Sequence, residues 1–128
     1  MHKLIFILSM LALLSACSTT PEKEKKMVLI DPAHFHASLL QKAEIPGVGD
    51  TVLVFAPEGP DLESYINTVE SFNSSKDNPT HWVINAYSES DWLEAIPEAS
   101  DGDFVVLAGN NKVKTEYMLK AVEKGYNV

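Results

Sequence analysis

The residues best equipped for chemistry stand in one hexapeptide, Asp31-Pro32-Ala33-His34-Phe35-His36, between an apolar run (Met27 to Ile30) and a stretch with helical spacing. A strand-to-helix turn is where a G-x-G-x-x-G phosphate loop would lie. Its glycines allow a tight turn and bring backbone amides close to a pyrophosphate. Here the three glycine positions fall on Asp31, Ala33 and His36. Ala33 still allows a phosphate fairly near. Asp31 sets a negative charge beside it, which is unfavourable unless it pairs with His34. His36 pushes the helix off the strand or reaches toward a ligand. The free N–H groups at the start of the helix beginning near Phe35 form an anion site.

The pair His34 and His36 also has a metal-binding spacing. On a strand two such rings share a face, but at a helix start residues i and i+2 point about 200° apart. They are not expected to converge, and no metal is assigned. Without a ligand, His34 faces solvent and His36 packs under the helix.

Two further segments supply polar groups. Glu58 and Asp61 follow a second apolar run, where an acid that holds a ribose would lie. Asp61 suits the N-cap of the next helix, which leaves Glu58 free. Gly109, Asn110 and Asn111 follow a fourth run. One asparagine is expected to cap a helix and the other to face a ligand. No G-x-S-x-G elbow, Walker loop or H-E-x-x-H is present. No catalytic residue is assigned.

Positioning these groups needs alternating strands and helices. Met27 to Ile30 and Thr51 to Ala56 read as buried strands, with "IPGVGD" (residues 45–50) as punctuation between. Phe35, Leu39, Leu40 and Ala43 predict the apolar face of the first helix. Leu62, Tyr65, Ile66, Val69 and Phe72 predict a second, longer one. His81 to Tyr87 reads as a third strand, "DWLEAI" as a short helix capped by Ser88 or Ser90, and Phe104 to Ala108 as a fourth strand. A last helix runs through Val113, Tyr117, Met118, Ala121 and Val122, with Lys120 and Lys124 suiting its C-terminus and Gly125 just past it. Tyr126 to Val128 look like the start of a fifth strand. Strands without alternation imply burial on both faces. The expected fold class is therefore α/β, a doubly wound parallel sheet of the Rossmann type. Ligands of such sheets sit beyond the carboxyl ends of the strands, at the switch in strand order. The turns after strands one and four should be neighbours there.

The chain has 128 residues, a net charge of −8 and no arginine, so nucleic acid is not an expected partner. Residues 1–16 have the charged start, apolar run and small residues of an export signal, too short to span a bilayer. "LSAC" resembles the lipobox of bacterial lipoproteins. It implies cleavage before Cys17, lipidation of that residue, and attachment to a bacterial membrane on the periplasmic side or the cell surface. Cys17 is the one cysteine, which excludes an intrachain disulfide. Residues 17–26 read as a flexible tether and 27–128 as the folded domain.

"VLIDPAHFHASLLQK", "VFAPEGPDLESYINTVESFN", "DNPTHW" and "VVLAGNNKVKTEYMLKAVEKGYNV" together resemble a group of lipoprotein oxidoreductases from Bacteroidetes-type bacteria, in the glucose–fructose oxidoreductase/inositol dehydrogenase (Gfo/Idh/MocA) family. The resemblance runs from about Met27 to Val128. It implies a domain that binds NAD or NADP, followed by a substrate domain for sugars and polyols. The cofactor-binding positions it implies are Ala33, His34, Phe35, His36, Glu58, Gly109, Asn110 and Asn111. The sequence departs from the family at the missing glycines. It departs again at the T-P-N-x-x-H stretch, where Asn111 alone matches and Lys114 replaces the histidine. It also stops before the E-K-P lysine, so these residues are expected to be a fragment that is not catalytically complete.

Overall fold

The computed structural model describes residues 23–128. The expected export signal, Cys17 and most of the expected tether lie outside the described residues. Among the described residues no helix is long and apolar enough to cross a membrane.

Four strands, β1 (Lys25–Ile30), β2 (Val48–Phe55), β3 (Val83–Tyr87) and β4 (Phe104–Leu107), form one sheet in the order β3-β2-β1-β4. Every neighbouring pair is parallel. The chain steps outward from β1 to β3, then crosses back to lay β4 on the other side of β1. That reversal makes the sheet Rossmann-type. β1 begins at Lys25, two residues before the expected start, because Lys25 pairs with Val48 across a register shift. The same pairing turns Val48 to Asp50 from punctuation into strand. The fifth strand is seen as a bridge: Asn127 pairs parallel with Phe104, and the Val105 amide donates to the Asn127 carbonyl at 2.7 Å.

Side chains of β1 alternate between two cores. Met27 and Leu29 join Val52, Val54, Leu62, Tyr65, Val69 and Trp82 on one face. Val28 and Ile30 join Phe55, Ile96, Val105, Ala121 and Tyr126 on the other. The first face is covered by α1 (His36–Leu39), a 3-10 turn (Leu40–Lys42) and α2 (Pro60–Asn73), the second by α3 (Lys114–Glu123) and residues 88–99. β1 is buried on both faces, as a central parallel strand must be. β3 lies at the edge, and most of its residues are exposed.

Three local expectations fail for identifiable reasons. The apolar face proposed for the first helix is its outer face: Phe35, Leu39 and Leu40 are exposed, while Ala37, Ser38 and Gln41 are buried. Gln41 is buried with its Nε2 donating to the Tyr65 hydroxyl at 2.6 Å and its backbone carbonyl accepting the Trp82 indole N–H at 2.8 Å, while its side-chain Oε1 has no hydrogen-bond partner among the described residues. The helix is also one turn long before it tightens. Asp61 does not cap α2. Pro60 takes the first helical position after Gly59, and Asp61 sits in the first turn, where a carboxylate answers the helix dipole. "DWLEAI" forms successive turns rather than a helix. Lys120 and Lys124 do lie at the end of α3, but they reach out to Glu94 (2.8 Å) and Glu98 (3.1 Å) and pin those turns to the helix. Gly125 ends α3 at φ +85°, with its own amide and that of Tyr126 bonded back to Val122 and Ala121.

One buried carboxylate ties the amino end of the sheet together. Asp103 is 1% exposed. Its two oxygens accept the Lys26 and Ser100 amides, each at 2.9 Å. Its carbonyl accepts both the amide and the side chain of Asn127. Burial favours the neutral acid. The two amide bonds, with Lys26 and Lys23 nearby, outweigh it and hold the carboxyl below its ordinary range. A depressed folded-state pKa adds stability above the unfolded value and loses it as pH falls through the folded one. Asp103→Asn should therefore cost about 1–3 kcal/mol at neutral pH by denaturant melts, and the gap to wild type should narrow as pH falls below 3.8.

Candidate functional site

The carboxyl ends of β1 and β4 meet where the strand order reverses, and the turns that leave them touch. Asp31 holds φ +49°, a left-handed conformation that aspartate tolerates better than most residues. Its amide donates to the Phe55 carbonyl at 2.9 Å, and its carbonyl accepts the Ala33 amide at 2.8 Å. Its side chain turns inward: Oδ2 accepts the Asn110 amide at 3.4 Å. The pairing with His34 that the sequence invited is not made. Opposite stands Gly109, where a Cβ would lie 2.4 Å from the Asp31 carbonyl oxygen and 2.5 Å from Oδ2. Glycine is required there for close approach, and it is the backbone of Asp31 that enforces it.

Beyond Pro32 the chain presents three rings. His34 and His36 stack at 4.4 Å between centroids, and their Nδ1 atoms are 2.7 Å apart. Phe35 contacts both, at 4.6 and 4.1 Å. The histidines therefore converge, contrary to the helical-wheel expectation. The reason is that the helix begins only at His36, so His34 lies in the preceding turn. His36 is exposed rather than packed under the helix. Close packing of helix on strand is instead supplied one residue later by Ala37, which is 1% exposed. Among the described residues no group of three or more His, Cys, Asp or Glu side chains could hold a metal ion.

The expected anion site moves with the helix boundary. The amides of Ala33, Ala37 and Ser38 are bonded within the turn, and that of His36 faces the His34 ring. The amides of His34 and Phe35 have no acceptor among the described residues. Both belong to the turn, and the one-turn helix behind them adds little dipole.

Two hollows flank this turn. One, about 310 Å³, lies on the β4 side between His34, His36, Ala108, Gly109, Asn111 and Lys114. The other, about 110 Å³, lies on the β2 side and is bounded by Asp31, Ala33, Glu58 and Asp61. The structure thus brings His34, His36, Gly109 and Asn111 to one hollow and Ala33 and Glu58 to the other. Phe35 lines a third, smaller hollow of about 80 Å³ toward α2, together with Ala33, His34, Asp61 and Tyr65. Asn110 lines neither hollow. Its side chain accepts the Lys112 amide at 3.0 Å, and its carbonyl accepts the Val113 and Lys114 amides, so it caps the turn into α3.

Sequence reasoning misses one participant. Asp31 looked like a liability and is a structural tie. Tyr117, expected on the apolar side of the last helix, packs against the core and edge-on to Trp92 at 5.4 Å. Burial, then the charges of Asp31 and Glu116, push its phenol up. A positive-φ aspartate cannot be told from an ordinary one by sequence alone.

No family model matches the chain, and no curated protein does. Among solved structures, one from Parabacteroides merdae ATCC 43184, described as a "putative oxidoreductase", is similar with a TM-score of 0.77 and 40% identity over 84% of this chain. The match takes in 24% of that chain, so the present sequence spans about a quarter of its neighbour's length.

The contact between the two turns yields a direct expectation. Gly109→Ala should lower stability by about 1–3 kcal/mol, because the added methyl meets backbone that cannot swing away. In an amide NMR spectrum the displaced resonances should centre on Asp31 and Asn110.

Proposed function

We propose that this chain is the dinucleotide-seating part of an oxidoreductase of the Gfo/Idh/MocA type. On the same reading it is exported and held to a bacterial membrane by a lipid on Cys17. The observation that carries the nucleotide reading is the free pair of amides at His34 and Phe35, set at the β1–β4 switch with a hollow on either side. The chemistry of the residues fits an NAD or NADP molecule laid across the turn. Ala33 leaves room for a phosphate, and the two amides would donate to it. Glu58 would accept hydroxyls of one ribose on the β2 side. His34, His36, Asn111 and Lys114 border the other half. Bound there, a nicotinamide ring supplies hydride exchange. The protein's own part would be to keep the dinucleotide's phosphates against the turn and so orient that ring. The similarity to a much longer chain described as an oxidoreductase, of which the match takes in 24%, supports this reading. A sugar-like substrate, met by a further domain, completes the proposal.

Asp31 favours a second reading, a ligand-binding module that keeps the scaffold without the nucleotide. Its carboxylate lies within the turn, and the helix behind is too short to offset it. Calorimetric titration of the full chain with NADH separates the two. The dinucleotide reading expects binding at millimolar cofactor or below, and Ala33→Leu should weaken it roughly tenfold or more by filling the space beside the turn, with far-UV circular dichroism unchanged. No heat at millimolar NADH would leave the module.

A further inference from the structure

We infer that the imidazoles of His34 and His36 form a two-nitrogen chelate for a divalent transition-metal ion that favours right-angle coordination, Cu²⁺ first and Ni²⁺ after it. Residues i and i+2 diverge on a helix, but His34 lies in the turn before α1, so that objection does not apply. The Nδ1 atoms are 2.7 Å apart while the ring centres are 4.4 Å apart. The planes are within 9° of parallel. The nitrogens are nonetheless closer than stacked faces come, about 3.5 Å, so the rings are offset and turn their Nδ1 edges toward each other. Metal–nitrogen bonds of about 2.0–2.1 Å set two imidazole nitrogens about 2.9 Å apart at a right angle, with ring centres about 4.5 Å apart; a tetrahedral angle needs about 3.3 and about 5.2 Å. Both distances in this protein fit the right angle. Both rings are exposed, and a small rotation about the last side-chain torsion, which is soft, aims both lone pairs at one ion.

Two bare Nδ1 lone pairs at this separation repel, so the contact calls for a proton or a metal ion between them. The His36 amide also points at the His34 nitrogen, at 3.4 Å. Neither ring has a further hydrogen-bond or ion-pair partner among the described residues, which leaves each Nε2 to carry its proton into solvent. Imidazole nitrogen suits copper and nickel, whereas magnesium and calcium want oxygen ligands, and the hollow beside the pair has no carboxylate among its lining residues. Two positions of the coordination plane remain for water or an oxygen donor that enters between Gly109 and Asn111. Lys114 lines the same hollow and opposes a cation, while the net charge of −8 favours one. The inference stands apart from the dinucleotide reading, since it needs neither a phosphate nor hydride transfer.

The test is calorimetric titration of the metal-stripped full chain with Cu²⁺, Ni²⁺ and Zn²⁺, with electron paramagnetic resonance at one equivalent of Cu²⁺. A histidine second in a chain binds copper together with the free N-terminus, so His2→Ala is the background throughout. The expected result is one Cu²⁺ per chain with a Kd of about micromolar or tighter, a tetragonal spectrum coupled to two nitrogens, and Ni²⁺ bound more tightly than Zn²⁺. His34→Ala and His36→Ala should each weaken Cu²⁺ by about tenfold or more and remove one coupled nitrogen, with circular dichroism unchanged. His81→Ala, on the far side of the sheet's edge strand, should alter neither reading. The nitrogen count in the unsubstituted pair reads the same claim should a variant fail to fold. No Cu²⁺ binding below millimolar, or affinity and coupling unchanged in either single variant, would overturn the chelate. Zn²⁺ bound more tightly than Ni²⁺ would overturn the right-angle geometry.

Discussion

The closest constraint in this fold is the contact of two turns, Asp31 against Gly109. It follows from the strand order: once β4 is laid beside β1 rather than beyond β3, the turns that leave both strands must pass within van der Waals reach. One side of the contact has to give up its side chain, and here it is the β4 side. The other side is then free to keep an aspartate at positive φ, with its carboxylate answering the Asn110 amide. In a glycine-rich phosphate turn the small residues stand on the β1 side. This chain meets part of the same steric need from across the crevice, and the missing glycines are less damaging to the scaffold than their absence from the motif implies.

That exchange has a cost in chemistry. A carboxylate now lies at the base of the crevice, and the helix meant to supply a dipole is a single turn. What remains for an anion is the pair of turn amides at His34 and Phe35. The rings of residues 34–36 are in mutual contact, and the two halves of the crevice differ in charge. A ligand that suits this place carries its anionic centre in the middle and its hydroxyls toward Glu58.

Much of the architecture could be read from the residues. Apolar runs without alternation, separated by breakers and one long amphipathic helix, point to a parallel sheet. The neighbourhood of the turns after strands one and four follows from the switch rule. The local errors have several causes, the first being that hydropathy counts apolar side chains and cannot see where a polar one is taken into the core. Gln41 is buried, with Nε2 bonded to Tyr65 and its backbone carbonyl to Trp82 though its Oε1 is unpartnered, and its burial turns Leu39 and Leu40 outward. Pro60 displaced Asp61 from the cap. The convergence of His34 with His36 was hidden because it depends on a helix boundary shifted by one residue. Strand starts were set by pairing partners far along the chain, as Lys25 is by Val48.

The account turns on whether the crevice between β1 and β4 seats a phosphate-bearing ligand at the two free amides. Backbone amide NMR of the protein titrated with NADH measures this at the atoms concerned. The account predicts that the His34 and Phe35 amide resonances move most, followed by those of Ala33 and Asn111, with α2's far turn unmoved. Saturable shifts confined to other surfaces, or none at all, would contradict it.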